Sequence, residues 1–82
     1  MSSTGTFHLV VASVGETRFD GAALSATIPT TSGVITILPH HEALVATLQK
    51  GTITIRETLE TKTVDIEGGV IEVANDRAVV LL

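Results

Sequence analysis

Two stretches decide the fold: Gly33-Val-Ile-Thr-Ile-Leu-Pro-His-His-Glu-Ala-Leu44 and Ile66-Glu-Gly-Gly-Val-Ile-Glu-Val73. Each joins a run of β-branched residues to a segment that needs special backbone geometry. Gly68-Gly69 can adopt positive φ without steric cost, and Pro39 fixes φ while removing a backbone donor. Both stretches therefore predict a strand beside a tight turn or bulge.

Apolar residues alternate with polar ones along most of the chain. Thirty of the 82 residues are Val, Ile or Thr, whose stiff side chains suit a pleated surface better than a helix. A period of two between apolar positions indicates a strand with one buried face. The predicted inward positions are Phe7, Leu9 and Val11; Thr17 and Phe19; Leu24, Ala26 and Ile28; Ile35 and Ile37; Leu44, Ala46 and Leu48; Ile53 and Ile55; Val64 and Ile66; Ile71 and Val73; and Ala78, Val80 and Leu82.

Turn residues separate these strands. Asp20-Gly21 is expected to end the second strand, and Pro29 the third. Ala43–Lys50 is the one segment where a helical turn competes with a strand. Short strands at this spacing predict an all-β chain, an antiparallel β-sandwich or flattened barrel.

Length and composition predict one small domain over residues 1–82, with residues 1–6 as a disordered tail. Hydrophobic residues make up 44% of the chain and charged residues 17%, which suffices for a core. The net charge is −4, and the five basic residues do not cluster, so nucleic-acid binding is not expected. The absence of cysteine excludes disulfides and thiolate zinc sites.

One uncharged run, Gly21 to Leu38, is long enough to be tested as a membrane span. Nine of its 18 residues are Gly, Ser, Thr or Pro, which predicts two strands and a loop instead of an apolar helix. The N-terminus has no basic segment followed by an apolar one, so no secretory signal is predicted. Any contact with a membrane is expected to pass through a partner.

Histidines and carboxylates offer no convincing reactive centre. A metal site needs three or four converging ligands, yet His40 and His41 are adjacent and His8 is remote. The pairs Glu57/Glu60 and Glu67/Glu72 flank turns and lack an evident apolar cleft. Whether Glu72 points inward or outward stays open. We expect no catalytic residue, no cofactor and no metal.

Two loops with apolar neighbours suggest a protein-binding surface instead. They are Pro39–Val45 and Thr30–Val34. The alternative is that Leu44 and Val45 only complete the core, and composition favours neither.

Five motifs, in order, give the chain a family resemblance. They are Phe7-His8-Leu9-Val10-Val11, Phe19-Asp20-Gly21, Gly33-Val34-Ile35-Thr36-Ile37-Leu38-Pro39-His40-His41, Lys50-Gly51-Thr52-Ile53 and Gly68-Gly69-Val70-Ile71-Glu72-Val73. Together they resemble the N-terminal β-sandwich domain of the F-type ATP synthase epsilon subunit, the counterpart of the mitochondrial delta subunit. The resemblance runs from about Phe7 to Leu82.

The resemblance implies a sandwich of about ten strands and a mechanical role. In that family the domain joins the gamma shaft to the proton-carrying membrane ring, as a peripheral subunit on the cytoplasmic face or its organelle equivalent. Carried over by position, gamma would contact Ser13, His41, Leu44 and Ala46, named here the shaft-facing set. The membrane ring would contact Ser32, Gly33 and Val34, named here the ring-facing turn.

Several positions depart from the family pattern. His40 stands in place of Gly, Glu42-Ala43 in place of Ala-Pro, and Thr36 in place of Gly. Val34 replaces a frequent acidic residue, which implies an apolar contact with the ring.

The family's C-terminal helical hairpin is absent, so neither ATP binding nor inhibition of hydrolysis is expected. The end at Leu82 fits a trimmed chain or a natural one-domain protein. The alternative function is a free-standing sandwich that binds a peptide or glycan.

Overall fold

The computed structural model describes residues 5–82, which form nine β-strands. The strands are β1 (Phe7–Ser13), β2 (Glu16–Ala23), β3 (Ser25–Thr30), β4 (Gly33–Ile37), β5 (Leu44–Leu48), β6 (Gly51–Arg56), β7 (Thr61–Ile66), β8 (Gly69–Ala74) and β9 (Arg77–Leu81). The all-β prediction is confirmed, since these residues contain no helix. In the segment Ala43–Lys50, where a helical turn competed with a strand, the structure has strand β5. None of the described residues belongs to a helix long and apolar enough to cross a membrane.

One hydrogen-bonded path joins the strands in the order β2-β1-β9-β8-β5-β3-β6-β7, and β4 adds to β3. Every pair is antiparallel except β1 with β9, which run parallel. The nine strands agree with the nine groups of inward positions that alternation predicts, and the one parallel pair departs from the predicted antiparallel arrangement. Strands β1 and β9 lie at opposite ends of the sequence, so no turn fixes their relative direction.

The strand path folds back on itself around one core. The smallest dimension of the molecule is 20 Å, more than a single sheet needs and enough for two layers about 10 Å apart. Every strand contributes to the core. Its residues are Phe7, Leu9, Val11, Phe19, Ala23, Ala26, Ile28, Ile37, Leu48, Ile53, Ile55, Ile66, Ile71, Val73, Ala78 and Val80. The predicted sandwich class is confirmed.

Two predictions about β2 are wrong. The strand does not end at Asp20-Gly21 but continues to Ala23, paired with β1 throughout. Thr17 and Phe19 do not share a face, because the register shifts beside Arg18. A β-bulge adds one unpaired residue and reverses the alternation, which buries Phe19 and leaves Thr17 exposed.

The prediction that Pro29 ends the third strand is also wrong. Strand β3 runs through Pro29 to Thr30. Its pairing with β6 stops at Thr27, and its pairing with β5 is at Thr30, so the proline lies between two partners. The Pro29 carbonyl accepts a hydrogen bond from the Gln49 N–H at 3.0 Å. A residue without an N–H is tolerated where the ladder changes partner.

Strand directions place the loops at two ends of the molecule. Strands β1, β9 and β5 run the same way, and β8 runs against β5 and β9. The loop 38–43 and the Asn75-Asp76 turn therefore share one end, the Asp76 end. The Thr31-Ser32 turn and the Val14-Gly15 turn share the other, the Ser32 end.

The sequence predicts a disordered tail over residues 1–6. Residues 1–4 lie outside the described residues, and nothing tests the prediction for Gly5 and Thr6. The tail therefore stays a prediction.

Candidate partner-binding site

The ring-facing turn is organised by the hydroxyl of Thr30. This side chain is only 4% exposed. Its Oγ1 donates a hydrogen bond to the Gly33 carbonyl at 2.6 Å and accepts one from the Ser32 N–H at 3.1 Å. Threonine hydroxyls stabilise turns in this way, so a threonine before a short turn was a usable sequence signal that the sequence analysis missed. The hydroxyl holds Ser32 and Gly33 in place.

The residues of the turn that follow Thr30 are exposed to solvent. Ser32, Gly33 and Val34 are all exposed, and the Val34 side chain is 70% exposed. Gly33 has φ of 121°, a conformation that L side chains rarely adopt, and its missing Cβ faces open space. The predicted ring-facing turn is therefore a fixed, uncharged projection at the Ser32 end.

Strand β5 divides its apolar residues between core and solvent. Leu44 and Ala46 are half-buried and pack against the core, whereas the Val45 side chain is 69% exposed. This settles the question left open by composition: Leu44 contributes to the core while keeping some exposed surface, and Val45 does not complete the core at all.

A groove brings the ring-facing turn next to two residues of the shaft-facing set. It measures about 380 Å³ and opens widely to solvent between β4, β5 and the turn that follows β3. Ser32 lies on one wall, and Leu44 and Ala46 lie on another. The full lining is Thr30, Thr31, Ser32, Ile35, Leu44, Val45, Ala46 and Thr47. None of these residues is charged, so the groove suits an uncharged surface of a partner.

The loop 38–43 places His41 just before β5, at the Asp76 end. The ring Nδ1 of His41 lies 2.7 Å from the Glu42 carbonyl oxygen. The backbone N–H of His41 donates a hydrogen bond to the Leu38 carbonyl at 3.2 Å. The preceding residue, His40, has φ of 65°, and its N–H donates to Asp76 Oδ1 at 2.8 Å. Asp76 thus ties this loop to the turn between β8 and β9, which the sequence analysis did not foresee.

Ser13 lies apart from the other residues of the shaft-facing set. It ends β1 at the Ser32 end, whereas His41 lies at the Asp76 end. Strands β9 and β8 separate β1 from β5 in the sheet, a distance of about 14 Å at normal strand spacing. A partner that touches both Ser13 and Ala46 must therefore extend across four strands.

Several of the ionisable groups considered in the sequence analysis form ion pairs with one another or with a neighbouring side chain. His8 Nε2 lies 2.6 Å from Asp20 Oδ1, and both side chains are about half exposed. Lys62 Nζ lies 3.4 Å from Glu57 Oε2 and 3.8 Å from Glu60 Oε2. In the described part of the chain, no three His, Asp or Glu side chains are placed to hold a metal ion.

Glu72 points outward from β8 and is exposed, which resolves its orientation. It lies opposite Val45 of β5 on one side and Val79 of β9 on the other. The carboxylate therefore belongs to the outer face of the sheet, next to the groove wall formed by β5.

Comparison with known proteins places the whole sandwich in one family. Residues 6–82 match the family described as the ATP synthase Delta/Epsilon chain beta-sandwich domain. The ATP synthase epsilon chain of Endomicrobium trichonymphae is 43% identical over 58 residues, which is 71% of this chain and 42% of the relative. That of Prochlorococcus marinus strain MIT 9301 is 30% identical over 77 residues, 94% of this chain and 58% of the relative.

Solved structures agree on the fold. A chain of the mitochondrial ATP synthase of Euglena gracilis, in an OSCP/F1/c-ring structure, superposes with a TM-score of 0.89 at 19% identity. The match covers 99% of this chain and 52% of that one. A chain of the Tetrahymena thermophila mitochondrial ATP synthase central stalk and c-ring superposes with a TM-score of 0.75 at 17% identity, over 90% of this chain and 60% of that one.

The chain spans about half the length of the curated relatives it matches, between 42% and 58% in the two described above. The match nevertheless begins before β1 and ends after β9, so it includes all nine strands. The chain belongs to the ATP synthase delta/epsilon family, and its residues 6–82 form that family's β-sandwich domain.

Proposed function

We propose that this domain is a non-catalytic coupling element of the central stalk in a proton-translocating F-type ATP synthase, joining the gamma shaft to the membrane ring. The observation that carries the proposal is the separation of two candidate contact loops, which lie at opposite ends of β4 and β5. The ring-facing turn lies at the Ser32 end, and His41 lies at the Asp76 end. The five residues of β4 span about 16 Å. Two partners could therefore bind without competing for the same loop.

A coupling element must transmit force without deforming, and the fold supports this requirement. All nine strands share one core; hydrogen bonds connect eight of them in a single path, and β4 is paired to β3. Closely packed interiors have low compressibility and transmit strain. Torque applied at one end would therefore reach the other with little internal motion.

The surface chemistry supports binding instead of catalysis. The groove lining is uncharged, and several ionisable groups outside it, such as His8 with Asp20 and Lys50 with Glu67, form solvent-exposed pairs. Apolar residues remain exposed at Val34 and Val45, on either side of the groove. The proposed subunit needs no nucleotide, metal or other cofactor, binds no nucleic acid, and inserts no segment of its own into the membrane.

The comparisons support the proposed assembly and its place in the cell. The relatives are named ATP synthase epsilon chain, and the structural neighbours come from assemblies named for F1, the c-ring and the central stalk. The domain would accordingly be peripheral, held at the cytoplasmic face of the membrane or its organelle equivalent through the complex.

The proposal is tested by retention of purified gamma and ring subunits on the immobilised domain. Leu44→Asp puts a charge into the groove wall and should weaken gamma binding by roughly 30-fold, the effect of losing about 2 kcal/mol of a well-packed anchor. Val45→Asp should act in the same direction without touching the core, which guards against misfolding as the cause. His41→Ala should also reduce gamma retention.

Leu59→Asp provides the matched control. Leu59 is 94% exposed in the turn between β6 and β7, away from both contact areas, so this change should leave binding unaltered. Val34→Arg should reduce retention of the ring while leaving gamma retention intact. Failure of the unchanged domain to retain either subunit, or capture of a peptide or glycan in their place, would favour the free-standing binding module.

A further inference from the structure

Two strand edges face each other across the groove without pairing. Among the described residues, β4 pairs only with β3. Strand β5 pairs along its whole length with β8, but on its other side it meets β3 only at Leu48. The edges of β4 and β5 that border the groove are thus open. Open edges present unpaired backbone groups that can template an additional strand.

The direction of the free backbone groups on β5 follows from its one contact with β3. The Thr47 carbonyl accepts a hydrogen bond from the Thr31 N–H at 3.0 Å, so Thr47 directs its backbone polar groups toward β3. Backbone groups alternate sides along a strand. Val45 therefore directs its N–H and C=O to the same side as Thr47, into the groove, while Leu44 and Ala46 direct theirs toward β8.

The charges beside the groove indicate which kind of segment would fit. Within residues 5–82, neither Glu42 nor Glu72 has an ion-pair partner. Glu72 lies directly opposite Val45 on β8. A strand added along β5 would place one residue opposite Val45 on its other side, about 9.5 Å from Glu72 across two strand spacings. A lysine or arginine there could reach the carboxylate.

We propose that the groove accepts an extended segment of the partner as an added β-strand along β5. Alternate side chains of that segment, apolar or hydroxyl-bearing, face Ile35, Leu44 and Ala46, and a basic side chain on the outer face pairs with Glu72. Main-chain hydrogen bonds supply affinity in this mode, and the pockets for alternate side chains supply selectivity. The identity of the partner as gamma rests on the proposed function; the mode of docking goes beyond it.

Hydrogen exchange of the ¹⁵N-labelled domain, free and bound to purified gamma, tests the mode directly. The Val45 amide should exchange readily in the free domain and at least 10-fold more slowly in the complex. Amides on the open edge of β7 serve as the internal reference and should not change, since β7 lies far from the groove in the strand order.

Charge reversal provides the second measurement. Glu72→Lys should weaken gamma binding about 10-fold. Glu67→Lys is the matched control, because Glu67 is exposed beside Lys50 at the end of β7 and should leave affinity unchanged. Gamma binding with an unprotected Val45 amide would overturn strand addition and leave the coupling role standing. Absence of gamma binding by the unchanged domain would overturn both.

Discussion

Gly69 shows how one residue can determine whether two strands fit together. It begins β8 with φ of 137°, and a Cβ at this position would overlap the carbonyl oxygen of Leu81 on β9. The positive φ that glycine permits predicts a bulge or tight turn at Gly68-Gly69. The close approach of β9 is not predictable in this way, because that strand lies outside the local sequence.

We expect Gly69→Ala to destabilise the domain by about 3 kcal/mol, from backbone strain together with the overlap. Gly33→Ala is the matched control: its φ of 121° is also unfavourable, but nothing lies within 4 Å of the added Cβ. Urea denaturation should show a clearly smaller loss for Gly33→Ala. Equal losses in the two variants would mean that strain alone matters at Gly69.

At the scale of elements, the Asp76 end is held together by contacts between loops. The Asp76 carboxylate accepts the His40 N–H at 2.8 Å, and its backbone carbonyl accepts the His8 N–H at 2.9 Å. One aspartate thus connects the turn between β8 and β9 to the loop before β5 and to strand β1. The loop conformation includes positive φ at His40, which costs energy for a residue with a Cβ.

Asp76→Ala should therefore release the loop 38–43 and destabilise the domain by about 1 kcal/mol. In the His40→Gly background the same change should cost less, because glycine adopts positive φ without help. Chemical-shift changes at His41, together with denaturation midpoints of the unchanged domain, the two single variants and the double variant, measure this coupling. Strictly additive losses would show that Asp76 does not support the His40 conformation.

At the scale of the whole molecule, stability depends on a single small core. A domain of this length is stabilised by roughly 4–12 kcal/mol in total. Ile53 and Ile71 are fully buried, and side chains from all nine strands meet around them. Loss of one large core side chain therefore removes a substantial part of the total stability.

Ile53→Ala should lower the free energy of unfolding by about 2–5 kcal/mol through lost burial and the cavity left behind. The melting temperature should fall by at least about 10 °C, because in domains of this size each kcal/mol of lost stability lowers it by several degrees. Val34→Ala, at a 70% exposed side chain, should stay within about 0.5 kcal/mol of the unchanged protein. A large loss in Val34→Ala would mean that the ring-facing turn is packed more tightly than its exposure indicates.

The strands and most of the core could be predicted from the sequence, because alternation is a local property that follows from the two-residue period of extended backbone. Phe7, Leu9 and Val11 point inward as predicted, and so do Ile53 and Ile55. The approximate positions of the exposed loops, including the ring-facing turn, were also readable from Pro and Gly.

The tertiary structure alone decided which strands became neighbours. The parallel pairing of β1 with β9 and the passage of β3 through Pro29 depend on partners distant in sequence, and the bulge at Arg18 depends on the register with β1. The groove exists for the same reason: β4 and β5 diverge instead of pairing, and this leaves Val45 with an open edge. Local patterns fix which face of a strand is buried, but only the packed core selects the partner at each edge.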